Sequence, residues 1–250
     1  MSFEGKVVIV TGAAKGIGAA IARAFARERA KLAVVDVDAP ALDALAKELS
    51  GQGVDALALR ADVMVAADVS RAVEAVLTRW DRIDVLVNNA GGFSVIRRTE
   101  EIPDEEWDRI LRFNLTSVFL CAKAVLPAMK RQRSGRIVNM SSVAGRAGAV
   151  TVTSHYAAAK AGILGFTRHL AREVAADGIT VNTVAPGTVA TERWKALRTP
   201  EESRRLADGV PARRVAKPGE IAECVLFLAS DAAGYMTGAT LDVNGGLVMT

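Results

Sequence analysis

Residues 6–18 read KVVIVTGAAKGIG, and they are the strongest indication of the fold class in this chain. Its first part, Lys6–Thr11, is a short run of mostly β-branched apolar residues, the pattern of a strand buried on both faces of a parallel sheet. After a glycine turn, Gly16–Arg29 carries small apolar residues at helical spacing. The stretch therefore predicts the strand and helix that begin a βαβ unit.

The same alternation continues along the chain. Further strands are predicted at Lys31–Asp36, Val54–Arg60, Ile83–Val87, Arg136–Met140, Thr180–Val184 and Ala239–Val243. Helices are predicted at Ala41–Ser50, about Ala66–Arg79, about Asp104–Gln132 with a bend or restart at Pro127, and Ser154–Ala176. This order predicts one α/β doubly wound domain over residues 1–250, with a parallel sheet and helices on both faces. Gly187–Pro218 interrupts the alternation, which is typical of a lid or substrate loop.

The composition narrows the class of protein. The 32 basic and 28 acidic residues leave a net charge of +4, a balance that argues against nucleic acid or a membrane surface as a partner. Cys121 and Cys224 lie in apolar stretches without the spacing of a metal site, as buried thiols do in a reducing compartment. The amino terminus carries no secretion signal, and no apolar run reaches the length that spans a bilayer. We expect a cytoplasmic protein without a metal site.

The glycines of the first turn predict a phosphate-binding site. Gly12, Gly16 and Gly18 are spaced Gly-x-x-x-Gly-x-Gly, in a loop that also contains Lys15 and Ile17. Phosphate binding requires the backbone and a helix N-terminus to approach the ligand closely, and a Cβ would obstruct that approach. The position of the loop between a strand and a helix favours a dinucleotide cofactor over a plain structural turn.

Asp36, at the end of the second predicted strand, favours NAD(H) as that cofactor. An acidic side chain at this point accepts hydrogen bonds from the adenosine ribose hydroxyls and repels a 2′-phosphate. Two neighbours weaken this assignment. Asp38 is a rival for the same role, and Lys15 leaves NADP(H) open because it is placed to pair with a 2′-phosphate.

Tyr156 and Lys160 are the candidate acid and base. They are four residues apart on a predicted helix and so share a face. The tyrosine hydroxyl has an ordinary pKa of about 10, which a neighbouring ammonium lowers, so that the hydroxyl can exchange a proton near neutral pH. Ser141 and Ser142 follow the fifth strand, at the sheet edge where ligands bind in open parallel sheets. A hydroxyl there either polarises a substrate carbonyl or caps the chain.

Together these motifs resemble those of the short-chain dehydrogenases/reductases, in the same order and over essentially the whole chain. The matching elements are Thr11–Gly18, Asn88–Gly91, Asn114, Ser142, Tyr156–Lys160 and Pro186–Gly187. The resemblance implies a Rossmann-like fold with a seven-stranded parallel sheet. It also implies a nicotinamide-dependent oxidoreductase that interconverts a ketone and a secondary alcohol, the hydride chemistry being supplied by the cofactor.

The resemblance assigns a role to each matching residue. Tyr156 exchanges the proton with the substrate oxygen, and Lys160 lowers its pKa and binds the nicotinamide ribose. Ser142 orients the substrate oxygen, and Asn114 holds a water that relays protons from Lys160. The cofactor-binding residues implied are Gly12, Gly16 and Gly18 at the pyrophosphate, Asp62 and Val63 beside the adenine, Asn88 and Ala90 near the adenosine ribose, and Pro186, Gly187 and Thr191 at the nicotinamide carboxamide.

One departure from the family concerns the catalytic spacing. Ser142 lies fourteen residues before Tyr156, where thirteen is common in relatives, so one residue is expected to be inserted within Arg146–His155. The departure keeps Ser141 as a rival to Ser142. His155 precedes Tyr156 and therefore points to another face, where we expect a surface role rather than a substrate contact.

The substrate is less well defined than the reaction. Three segments, Gly92–Thr99, Arg146–His155 and Thr188–Arg214, are expected to shape the pocket, and their cations are placed either to attract an anionic substrate or to face solvent. These cations are Arg97, Arg98, Arg146, Arg193, Lys195 and Arg198. Trp194 is interpreted as either a lid residue or ordinary loop packing.

Two activities remain open, together with one alternative that is not an enzyme. The sequence is similar to NADPH-dependent 3-oxoacyl-carrier-protein reductases, in which basic residues beside the cleft, here Arg133, would face an acidic carrier protein. Asp36 favours NAD(H), and Asp177 places an acid rather than a base at the end of the Tyr156 helix. Both favour instead a general NAD-dependent alcohol or sugar dehydrogenase acting on a small molecule. A dinucleotide-binding sensor or scaffold is disfavoured because the active set is complete. Small residues on the Tyr156 helix and in the stretch Gly238–Val248 allow close packing within the subunit or across a subunit contact. The resemblance implies a homotetramer built from such surfaces.

Overall fold

The computed structural model describes residues 2–93, 95–147, 152–196 and 199–249. It contains a seven-stranded parallel sheet of order β3-β2-β1-β4-β5-β6-β7. The strands are β1 Val7–Thr11, β2 Lys31–Asp36, β3 Ala56–Arg60, β4 Val85–Asn88, β5 Gly135–Met140, β6 Ile179–Pro186 and β7 Thr240–Val243. The predicted doubly wound, seven-stranded fold is confirmed.

Helices connect the strands and cover both faces of the sheet. They are α1 Gly16–Arg27, α2 Ala39–Gly51, α3 Ala66–Trp80, α4 Asp104–Leu111, α5 Ser117–Gln132, α6 Ser154–Val174, α7 Glu192–Ala196, α8 Pro200–Asp208 and α9 Pro218–Ala229. One apolar cluster packs α1, α2 and α9 against one face, and a second packs α3, α5 and α6 against the other. β1 and β6 are buried along their whole length, and the sequence of β1 is accordingly an almost continuous apolar run.

The sheet order places the site. It reverses direction between β1 and β4, because the chain winds outward from β1 to β3 and then returns to β4 on the other side. Ligands of open parallel sheets bind in the crevice at the carboxyl ends of the strands at such a switch point. The glycine loop follows β1 there, the NNAG stretch follows β4, and Ser141 and Ser142 follow β5.

The long helical region between β4 and β5 differs from its prediction. The helix continues through Pro127 without a break, and the irregularity falls earlier, in the π-helical segment Arg112–Thr116 between α4 and α5. Proline removes one helical hydrogen bond, and this helix accommodates the loss without ending. The π-helical segment contains Asn114, in line with the frequent position of such turns at functional sites.

Because these segments join, Asp104–Gln132 forms one helical run of 29 residues. Its most apolar part, with a mean hydropathy of 1.4, is long and apolar enough to cross a membrane on length and composition alone. This differs from the expectation that no apolar run is long enough to span a bilayer, because the sequence predicts a pair of shorter helices in this region. A core helix passes the same test, and α5 packs here against α3 and the sheet.

The excursion predicted at Gly187–Pro218 contains two helices, α7 and α8. Thr199 begins α8 with a capping box: its hydroxyl accepts from the Glu202 amide, and the Glu202 carboxylate accepts from the Thr199 amide. Arg198 lies outside the described residues, as do the side chains of Arg193 and Lys195.

Candidate active site

The glycine loop is folded too tightly for side chains at two of its glycines. A Cβ on Gly18 would lie 2.0 Å from the carbonyl oxygen of Gly12, and a Cβ on Gly12 would lie 2.8 Å from Cα of Ala90. Gly12 and Gly16 also adopt positive φ angles, of 61° and 59°. These glycines are required by the close approach of the loop to the end of β4 and by its own turn.

The loop leads into an anion-accepting helix end. No side chain caps the first turn of α1, and that turn contains no acidic residue. Its amide groups and the helix dipole are therefore available to a phosphate. Thr191 lies across the loop, with Cγ2 3.3 Å from the position of a Gly16 Cβ. The arrangement fits the pyrophosphate of a dinucleotide between the loop and the segment after β6.

Asp36 is held by backbone amides beside this loop. One carboxylate oxygen accepts from the Ala14 amide at 3.0 Å, and the other accepts from Val37 and Asp38 at 2.7 and 3.1 Å. The carboxylate therefore has a defined position next to the glycine loop. Lys15 is bound to Asp38 by an ion pair of 2.6 Å rather than standing alone in the pocket, and this pair raises the pKa of Lys15 and lowers that of Asp38.

The remaining predicted cofactor residues lie around the same edge. Asp62 turns onto its own loop, accepting from the Met64 amide at 2.8 Å, and Val63 is buried beside it. The side chain of Asn88 is directed into the sheet, where it donates to Asn139 at 2.8 Å, so it does not face the cleft. Pro186 ends β6, and a Cβ on Gly187 would lie 2.9 Å from Cα of Asn244.

Tyr156 and Lys160 lie together on the first turns of α6. The Lys160 ammonium is 5.6 Å from the centroid of the Tyr156 ring and donates to the Met140 carbonyl at 2.8 Å. Lys160 is buried, and this desolvation lowers its pKa from 10.5 to about 8. Its proton is consequently exchangeable near neutral pH.

The structure separates the roles of the two serines. Ser141 is buried and donates to the Lys160 carbonyl oxygen at 2.7 Å, so its hydroxyl hydrogen is already engaged. The Ser142 oxygen accepts from the Ala144 amide at 3.1 Å, which leaves its own hydrogen for another acceptor. This geometry favours Ser142 as the residue that contacts a substrate carbonyl. The inserted residue expected between Ser142 and Tyr156 falls in a stretch of which residues 148–151 lie outside the described part of the chain.

Asn114 lies close to Lys160, and its side chain is hydrogen-bonded to backbone groups. Its oxygen accepts from the Gly92 amide at 2.7 Å, and its nitrogen donates to the carbonyls of Gly92 and Ile110. A Cβ on Gly91 would lie 2.7 Å from the Asn114 oxygen and 3.0 Å from the Lys160 ammonium. The absence of a side chain at Gly91 therefore leaves the space in which these two polar groups approach each other.

Two of the loop cations are less available to a substrate than their positions in the sequence suggested. Arg146 binds Asp242 of β7 with both guanidinium edge nitrogens, at 2.8 to 3.2 Å. Arg97 binds Glu106 at 3.1 Å. Both cations serve to fix the loops that carry them.

Two other predictions are wrong. His155 is fully buried rather than at the surface, because α4 packs over the start of α6 and covers it. Arg133 precedes β5 and therefore lies at the amino edge of the sheet, opposite the cleft of its own subunit, where it binds Asp177 at 2.9 Å. The burial of His155 could not be read from the sequence because it depends on the packing of α4, whereas the position of Arg133 follows from its place before a predicted strand.

Cys121 is buried, and this burial raises its pKa to about 12, so it is an unreactive thiol. Cys224 is partly exposed, and burial is also the largest cause of its raised pKa.

The comparisons with known proteins all match this chain to reductases. The family model described as enoyl-(acyl carrier protein) reductase matches residues 12–248. The chain is 44% identical to the 3-oxoacyl-[acyl-carrier-protein] reductase of Escherichia coli (strain K12), over the full length of both. A 3-oxoacyl-[acyl-carrier protein] reductase from Brucella melitensis, solved with bound NAD, superposes with a TM-score of 0.93 at 37% identity, covering 100% of this chain and 93% of that one. A single-residue variant of actinorhodin polyketide ketoreductase, solved with NADPH, superposes with the same TM-score of 0.93, at 38% identity and with 97% of each chain covered.

Proposed function

Since the chain belongs to the short-chain dehydrogenase/reductase family and is an oxidoreductase acting on keto and CH–OH groups, we propose that it reduces the ketone of a 3-oxoacyl substrate with NADH. The single observation that carries the catalytic part is the Lys160 ammonium 5.6 Å from the Tyr156 ring, beside Ser142 at the switch-point edge. The 3-oxoacyl part is supported by the relatives that match this chain over its full length.

The chain's own groups carry the proton chemistry. Tyr156 donates its hydroxyl proton to the substrate oxygen, and the Lys160 ammonium stabilises the phenolate that remains. Ser142 donates a hydrogen bond to the same oxygen and polarises the carbonyl. Lys160, whose pKa lies at about 8 because it is buried, passes a proton back to Tyr156. The nicotinamide, when bound, supplies the hydride.

The family binds NAD(P)(H), and we propose a preference for NAD(H). The positioned carboxylate of Asp36 suits the two ribose hydroxyls and opposes a 2′-phosphate. Asp38 supports the same preference because it neutralises Lys15, the cation of the glycine loop that would attract such a phosphate. The relatives do not decide the point, since one neighbour was solved with NAD and another with NADPH.

A second candidate is the NAD-dependent oxidation of a small secondary alcohol. The feature that favours it is again Asp36, because NAD(H) preference is typical of oxidising enzymes of this kind. The same residues serve this reaction in reverse, with the Tyr156 phenolate accepting the proton from the alcohol.

We also propose a cytoplasmic homotetramer. Gly165 of α6 has open space around the position of a Cβ, and Phe119 of α5 is 45% exposed and contacts Phe166 edge-on. A small-residue helix face beside one exposed aromatic ring suits the close approach of a second copy. Light scattering of the eluted protein tests this, since a monomeric mass would exclude it.

The proposed function is tested by removing one hydroxyl. Tyr156→Phe should lower the turnover of acetoacetyl-coenzyme A with NADH by about 10²- to 10⁴-fold, because the general acid is lost. The dissociation constant for NADH, measured by nicotinamide fluorescence, should stay unchanged.

The matched control is Tyr235→Phe, since the chain's other tyrosine is fully exposed; its turnover should equal that of the wild type. Normal turnover by Tyr156→Phe would contradict the assignment of the proton donor. If the wild type oxidises a panel of secondary alcohols but leaves acetoacetyl-coenzyme A and ethyl acetoacetate unreduced, the second candidate function replaces the first.

A further inference from the structure

A buried histidine lies next to the proposed proton donor. His155 is fully buried in the first turn of α6, immediately before Tyr156. Its Nδ1 is 2.8 Å from the hydroxyl of Thr153, and its Nε2 is 3.3 Å from the carboxylate of Glu106 in α4. Because a carboxylate only accepts hydrogen bonds, Nε2 carries a hydrogen and donates it to Glu106. The first turn of α6 is thus bound to the first turn of α4.

Glu106 extends this connection to a third segment. Its second carboxylate oxygen accepts from Arg97 at 3.1 Å. Arg97 belongs to the loop after β4, and the same loop carries Phe93, whose ring is 4.7 Å from the Tyr156 ring and inclined to it by 53°. The chain Arg97–Glu106–His155 therefore connects the two segments that meet at Tyr156: the helix that bears it and the loop that packs on its ring.

The charges in this cluster make it a rigid connection. The Glu106 side chain is only 15% exposed, and its hydrogen bonds from His155 and then Arg97 hold its pKa below the ordinary value. The carboxylate is consequently ionised at neutral pH and accepts from both partners. Losing one partner leaves a buried polar group unpaired, which is more costly than the bond itself is stabilising.

We propose that His155 is a positioning residue for Tyr156, acting with Glu106 to hold the start of α6 against the loop that contains Arg97 and Phe93. The inference rests on the proposed role of Tyr156 as proton donor. His155 touches neither substrate nor cofactor in this scheme; it places the Tyr156 hydroxyl relative to Lys160 and Ser142. Displacement of a reacting group by about 1 Å is enough to lower a rate by up to about 10²-fold.

The test compares two substitutions at the same position. His155→Leu has a similar volume but no hydrogen-bonding atom, whereas His155→Gln retains an amide that can donate to Glu106. With acetoacetyl-coenzyme A as the probe, kcat per NADH-binding site should fall about tenfold or more in His155→Leu and recover to within about threefold of the wild type in His155→Gln. Counting sites by NADH titration removes the effect of unfolded protein, and the NADH dissociation constant should not change.

Two further variants exclude a general effect. His169, the chain's other histidine, is exposed on the same helix, so His169→Leu should leave kcat unchanged. Glu106→Leu should lower kcat as His155→Leu does, and the double variant should be no slower than either one, because residues acting as a unit are not additive.

The outcomes separate this inference from the proposed function. If Tyr156→Phe abolishes turnover while His155→Leu retains kcat per site within about twofold of wild type, the positioning role is wrong and the proton donor stands. If His155→Gln is as slow as His155→Leu, the bond to Glu106 is not the operative contact and the inference also fails. If Tyr156→Phe is fully active, the proposed function itself is wrong.

Discussion

The ammonium of Lys15 is bound at 2.6 Å by the carboxylate of Asp38, two residues beyond Asp36 in the chain. Asp38 has a second contact, since its other oxygen accepts from the Ala41 amide and caps α2. The only cation of the glycine loop is therefore already paired with a carboxylate. In the sequence the acid argues against a 2′-phosphate and the base argues for one; in the structure the two neutralise each other.

Asp38→Asn should therefore move cofactor preference towards NADPH. Asparagine keeps the helix cap but removes the charge that holds Lys15. We expect the ratio of the NADPH and NADH dissociation constants to change by about two- to fivefold, since an exposed ion pair is weak. Nicotinamide fluorescence titrations give both constants. The shift should vanish when Lys15→Met is also present; its persistence there would show that Asp38 acts without Lys15.

Asp36→Ala should have the larger effect on the same ratio. The substitution removes both the acceptor for the ribose hydroxyls and the charge that repels a 2′-phosphate, so discrimination against NADPH should fall by about tenfold or more. Asp43→Ala, which removes an exposed acid from α2, is the matched control and should leave the ratio unchanged. An unaltered ratio in Asp36→Ala would mean that another residue selects the cofactor.

Gly18→Ala should damage the glycine loop. Its Cβ would lie 2.0 Å from the Gly12 carbonyl oxygen, so backbone has to move and the loop loses the shape that accepts a pyrophosphate. We expect a loss of about 1–3 kcal/mol in the free energy of unfolding, measured with urea, together with weaker NADH binding. Gly51→Ala, at the end of α2 with open space around the added methyl, should lower neither quantity. An equal loss in both variants would contradict the view that the glycine loop is shaped for a pyrophosphate.

The buried Lys160 should make stability depend on pH in the alkaline range. Its pKa is about 8 in the folded protein and 10.5 in the unfolded chain, so between these values the unfolded state binds more protons and stability rises with pH. Lys160→Met removes this dependence. The free energy of unfolding of the wild type, relative to Lys160→Met, should increase by about 2 kcal/mol from pH 7 to pH 9.5. Urea unfolding of the cofactor-free proteins at each pH measures this difference. Parallel pH profiles of the two proteins would show that burial does not lower the pKa of Lys160.

Much of the architecture was predictable because its signals are local. Buried strands such as Val7–Thr11 are continuous apolar runs, and the bounds of most strands differ from the predicted ones by no more than two residues. The restart considered at Pro127 does not occur, because α5 continues through that residue, whereas the π-helical segment at Asn114 has no sequence signal of its own.

From the sequence alone we could predict the order of strands and helices, the glycine loop and the Tyr156–Lys160 pair, because each depends on residue types at short spacings. Asn114 and Ser142 were assigned through the resemblance of the whole motif order to a known family. How the charged and polar groups pair depends instead on the tertiary structure. Lys15 with Asp38, Arg146 with Asp242, and His155 with Glu106 are 23, 96 and 49 residues apart. Such pairs form where the sheet and helices bring distant segments together. Whether a charge is available to a ligand or already bound by a neighbour is therefore a property of the packed fold.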